Sequence, residues 1–493
     1  MASIFTVIGN DMPDLDRITV AQMLPLLAFM GDMSMGQPFG HSMRVSRRAG
    51  QLAAALGLDV AAVRAVRQVA LLRWVGCTAN ASEVAAVMRD DVTGRQAMLA
   101  LRPERMALQV PPAEIGAHAH TLSSIHCEVS AVITSALGLS DAVTEAIQCL
   151  FEQWDGQGFP RGLAGQDVPL PVLLTVLAGD LEILPAEYGP AGAAQLLQRR
   201  ADVIYPRSLV ELAMQHAADE AQVVAAPMET DLANEPAHEV ALALLADTIE
   251  LKLPWLAGYS RAVASVAHAL GGRLALPPET QAALGRAALL HGLGRVSVPN
   301  AVWNQAGSLT RAEWEQVRLG PYWTARAATL VPSLAMDVEL AAYAYERLDG
   351  SGYFRAASAA TTPLAYRVLP VACAWVALRS SRPWRAALSD DDALRQLRAE
   401  GPQRFDPHVV DALVDLPRPA APTPVDAAPA LLSSREREVL QSISRGSSNK
   451  EAARELGLSP ATVRTHMESI FRKLACNSRA AATLKASMLG LLG

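Results

Sequence analysis

The chain has 493 residues, 51% hydrophobic, 19% charged and only 5% aromatic, which excludes a disordered chain and disfavours an aromatic-rich sheet protein. At about 150 residues per domain, that length predicts about three domains. The net charge of −6 is unevenly spread: from Ser433 onward ten Lys/Arg face five Asp/Glu, so a tail of +5 follows a body of −11. Such a division directs nucleic acid to the tail, although a salt-bridged helix surface gives the same imbalance.

The first sixteen residues have no basic stretch and carry Asp11, Asp14 and Asp16, which argues against a signal peptide. Residues 168–179, the most apolar window, are too short to span a bilayer and contain two prolines. Cys77, Cys127, Cys149, Cys373 and Cys476 are scattered without a CxxC pair, which fits a reducing compartment rather than a disulfide framework or zinc ribbon. These features predict a cytoplasmic protein with no membrane partner.

Apolar residues recur at helical spacing over 45–56, 60–72, 240–251, 262–274 and 282–290, so the body reads as nearly all α. Between 218 and 236 acidic and small residues replace that periodicity. Residues 417–429 hold five prolines among alanines, a semi-rigid extended spacer that cannot keep a helix ladder. The expected domains are 17–217, 237–415 and 432–493, with a Pro/Ala linker over 416–431.

The body repeats itself. Phe151-Glu-Gln-Trp-Asp-Gly-Gln-Gly-Phe-Pro160 matches Tyr345-Glu-Arg-Leu-Asp-Gly-Ser-Gly-Tyr-Phe354 at an offset of 194. His41-Ser-Met-Arg-Val45 matches Tyr259-Ser-Arg-Ala-Val263, and Ala70-Leu-Leu-Arg-Trp-Val-Gly76 matches Ala288-Leu-Leu-His-Gly-Leu-Gly294, both at 218. Ile204-Tyr-Pro206 matches Phe405-Asp-Pro407 at 201. Four anchors in one order predict two copies of one helical domain, the first with an insertion between Gly76 and Phe151.

Over residues 259–413 the second copy resembles the HD-GYP metal-dependent phosphohydrolases. The resemblance rests on Leu290-His291-Gly-Leu-Gly-Arg-Val-Ser-Val-Pro299, Gly307-Ser-Leu-Thr-Arg-Ala-Glu-Trp314, Glu346-Arg-Leu-Asp-Gly-Ser-Gly-Tyr353, Ser381-Arg-Pro-Trp-Arg385 and Phe405-Asp-Pro407. In the more diverged first copy, Trp154-Asp-Gly-Gln-Gly-Phe-Pro-Arg-Gly162 looks like the same signature loop. The resemblance implies an all-helical bundle with a multi-iron site that hydrolyses cyclic di-GMP. Several His and Asp side chains must converge on such metals to clamp phosphate and activate water.

At the positions that resemblance assigns to ligands, the second copy has Tyr259, His291-Gly292, Gly320, Ala344, Tyr345 and Cys373. The first has His41 and His126, but Arg73-Trp74 for the doublet, Leu150 and Phe151 for the paired histidines, and Gly179 for the late aspartate. The expectation is no metal, no cofactor, no catalytic residue and no enzyme. His118, His120 and His126 offer a His-x-His alternative for one metal, or lie on an exposed polar loop. His291 reads as a packed core histidine, and the Asp-Gly-x-Gly loops as turns built on glycine freedom. Tyr259, His291, Tyr345 and Cys373 either line a pocket for a small amphiphilic molecule or fill it, leaving a dimerisation scaffold.

The tail carries the most specific pattern. Ser433 with Glu436 forms a capping box ahead of Val439, Leu440 and Ile443, and that helix stops at Gly446. A short helix over 449–456 ends at Gly457, and Ser459-Pro460 starts a third that buries Val463, Met467, Ile470 and Leu474. Two helices on a tight turn make a helix-turn-helix whose second polar face suits the major groove. Leu432-Ser-Ser-Arg-Glu-Arg-Glu-Val-Leu440, Asn449-Lys-Glu451, Leu458-Ser459, Thr462-Val-Arg-Thr-His466 and Arg472-Lys-Leu474 resemble the LuxR-type DNA-binding domain. The resemblance implies that Arg464, Thr465 and Glu468 face base edges, while Asn449, Lys450, Thr462, His466, Arg472 and Lys473 hold phosphates or orient the helix. Lys473 can instead solvate the helix end, and His466 can pack between helices.

The fold class expected is therefore mainly α: two tandem HD-type domains, then a small four-helix LuxR-type domain. The function expected is a homodimeric, double-stranded-DNA-binding transcriptional regulator whose inactive tandem domains sense an effector or dimerise. The alternatives are a residual metal-dependent cyclic-dinucleotide phosphodiesterase joined to a DNA-binding domain, and a module that grips a partner protein.

Overall fold

A computed structural model describes residues 16–111, 114–216, 235–414, 416 and 431–492. The proline-rich spacer, most of the soft boundary at 218–236 and the segment before Asp16 lie outside the described residues. The architecture is mainly α, with two helical bodies of related design and a four-helix tail. By its contacts the chain falls into two compact units: Ile18–Val240 with Pro299–Ala301, and Met1–Arg17 with Ala241–Val298 and Val302–Gly493.

The first unit is built on α1 (Val20–Ser34), α2 (His41–Ala55), α3 (Val60–Leu72), α4 (Ile115–Ala136) and α5 (Leu170–Arg200). Local chemistry sets the starts: Thr19 and Gln22 form a capping box on α1, and the Asp59 carboxylate accepts the Ala62 amide at 2.8 Å to open α3. α5 is interrupted at Gly189, whose φ of 70° lies between Pro185 and Pro190. α2 packs on α3 and α5, and Val45, Ala49 and Leu52 of α2 and Val66, Val69 and Leu72 of α3 are buried.

The second unit repeats the plan with α6 (Ala243–Glu250), α7 (Tyr259–Arg273), α8 (Pro278–Leu290), α9 (Arg311–Arg326) and α10 (Leu364–Arg379). The α7–α8 hairpin is the counterpart of α2–α3. Each first helix follows a left-handed glycine, Gly40 at φ 73° and Gly258 at φ 78°. A buried carboxylate from the preceding helix receives the second amide of each: Asp32 takes Ser42 N at 3.0 Å, and Glu250 takes Ser260 N at 2.6 Å. Leu289 and Leu290 of α8 are fully buried, worth about 2 kcal/mol each in desolvated area. Between the anchors the first copy has two helices, Ala81–Met88 and Asp91–Leu99, where the second has only Asn300–Trp303 before its next long helix. Residues 240–251, expected as one helix, begin instead in the strand Glu239–Ala241, which pairs with Arg17–Thr19.

The signature loops superimpose in chemistry residue for residue. Asp155 and Asp349 each accept an amide two residues on, at 2.9 Å. Glu152 clamps the far side of its loop through Arg161 N at 2.6 Å and Leu163 N at 2.8 Å; Glu346 does the same through Arg355 N at 2.6 Å and Ala357 N at 3.0 Å. The first glycines, Gly156 and Gly350, have φ of 80° and 76°. A Cβ on the second, Gly158 or Gly352, would lie 2.3 Å from the backbone nitrogen of Gln153 or Arg347.

The tail comprises α11 (Ser434–Ser444), α12 (Asn449–Leu456), α13 (Pro460–Leu474) and α14 (Arg479–Met488). Ser433 and Glu436 form the capping box read from the sequence, and Ser448 with Glu451 forms another. Within the second unit α14 packs on α6, and a Cβ at Gly446 would lie 3.2 Å from Pro254. All five cysteines are buried thiols outside any disulfide. Among the described residues, no helix is long and apolar enough to cross a membrane.

Candidate functional site

In the first unit the centre of the bundle is closed by a side chain. Arg73, at the end of α3, places Nη2 2.5 Å from His41 Nε2. Gly179 on α5 leaves the space it uses, since a Cβ there would lie 2.5 Å from Arg73 Nη1. Burial pushes the Arg73 guanidinium down to about 10, with Asp32, Asp180 and Glu182 opposing. The same burial, with Arg73 and Arg44 nearby, holds His41 well below the usual range, so its ring is neutral and accepts. His126 sits behind, its ring 5.0 Å from Phe151 and 6.4 Å from Trp74, and burial drives it down to about 3.

His118 and His120 belong to α4 rather than to a polar loop, and His120 lies edge-on to Phe159 at 6.1 Å. The loop reading failed because the repeat has no counterpart for this stretch, leaving only weak local periodicity to judge it. Among the described residues, no three His, Cys, Asp or Glu side chains converge as metal ligands.

The second unit is open at the equivalent place. A cavity of about 290 Å³ is lined by Trp255, Tyr259, His291, Arg295, Tyr345 and Arg382, among others. Three of the four pocket residues expected from the sequence therefore share it. Cys373 lies behind Tyr259, whose hydroxyl donates to its carbonyl at 3.0 Å. His291 Nδ1 meets the Ala288 carbonyl at 2.6 Å, and burial keeps the ring neutral by driving it down to about 3. Arg295, one turn further on, donates to the Tyr345 hydroxyl at 2.5 Å. Sequence reasoning missed Arg73, as a plug, and Arg295, as a lining cation; only a charged residue in an otherwise apolar run pointed to either.

A histidine flanked by tyrosines and arginines does not fit the paired iron ions implied by the HD-GYP resemblance. Guanidinium groups donate and carry positive charge; they cannot ligate cations.

The tail presents a different surface. Arg464, Thr465, Glu468 and Arg472 are exposed along α13, opposite its buried face of Val463, Met467, Ile470 and Leu474. Lys450 is exposed at the start of α12, whereas Asn449 accepts from Arg479 at 2.8 Å. Thr462 and His466 are half-buried. Lys473 donates to Glu436 at 2.6 Å, and Ser469 to the same carboxylate at 2.7 Å, pinning α13 to α11.

Family comparison agrees with both halves. The HD domain model matches residues 243–409, and the model for bacterial regulatory proteins of the luxR family matches 430–486. An HD domain precedes a LuxR-type helix-turn-helix. A 3'3'-cGAMP-specific phosphodiesterase of Vibrio cholerae is 27% identical to the chain over 418 residues, covering 78% of this chain and 91% of its own. The cyclic di-GMP phosphodiesterase response regulator RpfG of Xanthomonas campestris is 28% identical, covering 53% and 71%. The LuxR-type region is 43% identical to an HTH-type transcriptional regulator of Escherichia coli, YhjB, over 53 residues, 11% of this chain and 26% of that one. A crystal structure of a V. cholerae cyclic GMP-AMP specific phosphodiesterase shares the fold with a TM-score of 0.59 and 23% identity, across 81% of this chain and 99% of the other.

The expectation that the chain is not an enzyme is corrected by these likenesses: an HD domain related to named phosphodiesterases, over 78% of the chain in one case, points to enzymatic activity. The expectation was drawn from absent ligands at fixed positions of the two copies.

Proposed function

We propose that the chain is a cytoplasmic, homodimeric DNA-binding transcriptional regulator whose HD body receives a small molecule and passes its presence to the LuxR-type domain. Its working divisions are residues 17–217, 237–415, the linker 416–431 and 432–493. The observation that carries the reading is the exposed Arg464, Thr465 and Glu468 face of α13, on a helix whose opposite face and both caps are satisfied. Arg464 would read guanine O6 and N7, Glu468 cytosine N4, and Lys450 a phosphate. A single such helix reads few base pairs, so two copies on a two-fold symmetric site supply the affinity. Because relatives act on 3'3'-cGAMP and cyclic di-GMP, these nucleotides are the first candidate effectors.

The test selects bound sites from random duplex DNA and measures affinity by fluorescence anisotropy, with and without each nucleotide, while chromatography follows any turnover. Arg464→Ala is expected to cost about 1–3 kcal/mol at the selected site and little on random DNA. Lys450→Ala should weaken both alike and flatten the salt dependence. Intact discrimination in Arg464→Ala would overturn the assignment of the recognition helix. Operator affinity indifferent to either nucleotide would remove them as effectors.

A further inference from the structure

Helix α6 is buried at every one of its eight positions, so it lies between neighbours rather than on the surface of one. On one side stands the HD bundle: Asp247 takes Arg261 of α7 at 2.9 and 2.7 Å, and Glu250 takes Ser260 N at 2.6 Å. On another side α14 of the LuxR-type domain packs on it, and no residue of α14 from Ala480 to Met488 is exposed. The turn that leaves α6, Pro254–Leu256, also looks two ways. Trp255 and Leu256 line the cavity of the second HD domain, as does Tyr259 at the start of α7. Pro254 abuts Gly446, just past the end of α11, where an added methyl carbon would lie 3.2 Å from the proline Cβ. That contact has little slack, and close-packed atoms transmit a displacement instead of absorbing it. A cavity wall pushed outward at Trp255 therefore meets the backbone of the LuxR-type domain.

We propose that α6 and the Pro254–Leu256 turn form a seat for the LuxR-type domain, and that filling the second HD cavity presses this turn on Gly446 and lifts α14 off α6. The device has two states, α14 seated as in this structure and α14 released. Trp255 is where occupancy and seat meet, since it lines the cavity and its backbone follows Pro254 directly. Arg464, Thr465 and Glu468 are exposed in the seated state, so the seat sets the placement of the recognition helix rather than covering it. Coupling of this kind is reciprocal: a change that lifts α14 spares the occupant that work and tightens its binding. The proposal rests on the effector reading above and adds the segment through which occupancy reaches the DNA-binding domain.

Hydrogen exchange of the full chain, read by mass spectrometry, tests it first without any ligand. Ala377 of α10 lines the cavity and is half-buried, so Ala377→Trp fills the space from the protein's own side. Protection should fall about tenfold in both α6 and α14 and hold in α13, with a thermal melt to confirm the fold. Gly446→Ala should act from the other side of the contact, and adding Pro254→Gly should restore part of the protection, as a steric cause requires. Gly457→Ala, at another left-handed glycine but with nothing within 4 Å of the added atom, carries backbone strain alone and should leave α6 protected. Unchanged α14 protection in a folded Ala377→Trp chain would overturn the proposal. So would a Gly446→Ala loss that Pro254→Gly does not relieve, which decides the matter should Ala377→Trp not fold. Titration with 3'3'-cGAMP and cyclic di-GMP separates the effector reading. A nucleotide that binds the full chain should bind Gly446→Ala about fivefold more tightly, and equal affinity would overturn the coupling. Binding of neither nucleotide would remove both as effectors, while the Ala377→Trp result still decides the seat.

Discussion

Gly158 and Gly352 show how one missing methyl group maintains a loop. Each lies where a Cβ would come within 2.5 Å of both the nitrogen of one residue and the Cα of the one before it, and backbone cannot rotate away. Gly352→Ala should therefore cost about 3 kcal/mol, at the upper end of ordinary overpacking, and Gly158→Ala a similar amount. Chemical denaturation of the two variants checks this. Gly307→Ala, where nothing lies within 4 Å of the added atom, is the control and should be near neutral. The glycines were legible in the sequence as turn formers, but Glu152 and Glu346 were not. Their carboxylates reach nine and eleven residues forward, beyond what turn rules examine.

Helices α11 and α13 depend on Glu436 twice. It closes the capping box with Ser433 N at 2.7 Å and receives Lys473 and Ser469 from α13. Burial raises its carboxyl, but the hydrogen bonds from Lys473, Ser433 and Ser469 outweigh that and hold it at about 2, below its ordinary 4.5. A carboxylate held low in the folded state stabilises fully above its unfolded pKa. That contribution fades as pH falls from about 4.5 through about 2. Because Lys473 is a third exposed, the loss is on the order of 1–2 kcal/mol. Hydrogen-exchange protection factors, referred to intrinsic rates at each pH, should fall in α11 and α13 over that window, and Glu436→Gln should remove most of that pH dependence. Loss of protection confined to higher pH would contradict the linkage.

The contrast among elements follows from the range of the forces that define them. α3, α12 and α13 match their sequence bounds because Asp59, Gly457 and Ser459-Pro460 act within one helical turn. The helical pattern from 240 hides the strand at 239–241 because the strand's partner lies more than two hundred residues away. The pocket fell between these cases. Tyr259, His291 and Tyr345 follow from the ligand positions of the HD-GYP resemblance, whereas Arg295 needed α7, α8 and the signature loop to be brought together first.

At the scale of the whole molecule, a basic DNA-binding domain follows an acidic body that carries the cavity proposed to take an effector. If the body supplies the dimer, the second half-site contact becomes intramolecular. The isolated fragment 432–493 should then bind its selected site about tenfold more weakly than the full chain at one fixed salt concentration. Tighter binding by the fragment would mean that the body masks the DNA-binding domain, with effector binding as the release. The open α13 face favours the first outcome, since Arg464, Thr465 and Glu468 are exposed in the presence of the second HD domain.

The five buried thiols have a use of their own. Cys77, Cys127 and Cys149 lie in the first unit, Cys373 beneath the cavity, and Cys476 in the DNA-binding domain. Burial pushes Cys127 and Cys373 up to about 12, so the nucleophilic thiolate is scarce while the fold is closed. Labelling by an aromatic disulfide reagent should consequently wait for local opening, and digestion with mass spectrometry assigns each event to its region. Nucleotide that stiffens the cavity should slow Cys373 while leaving Cys127 unchanged; equal slowing of both would place the ligand's effect elsewhere. Without an engineered cysteine, the chain carries a separate clock for the breathing of each of its parts.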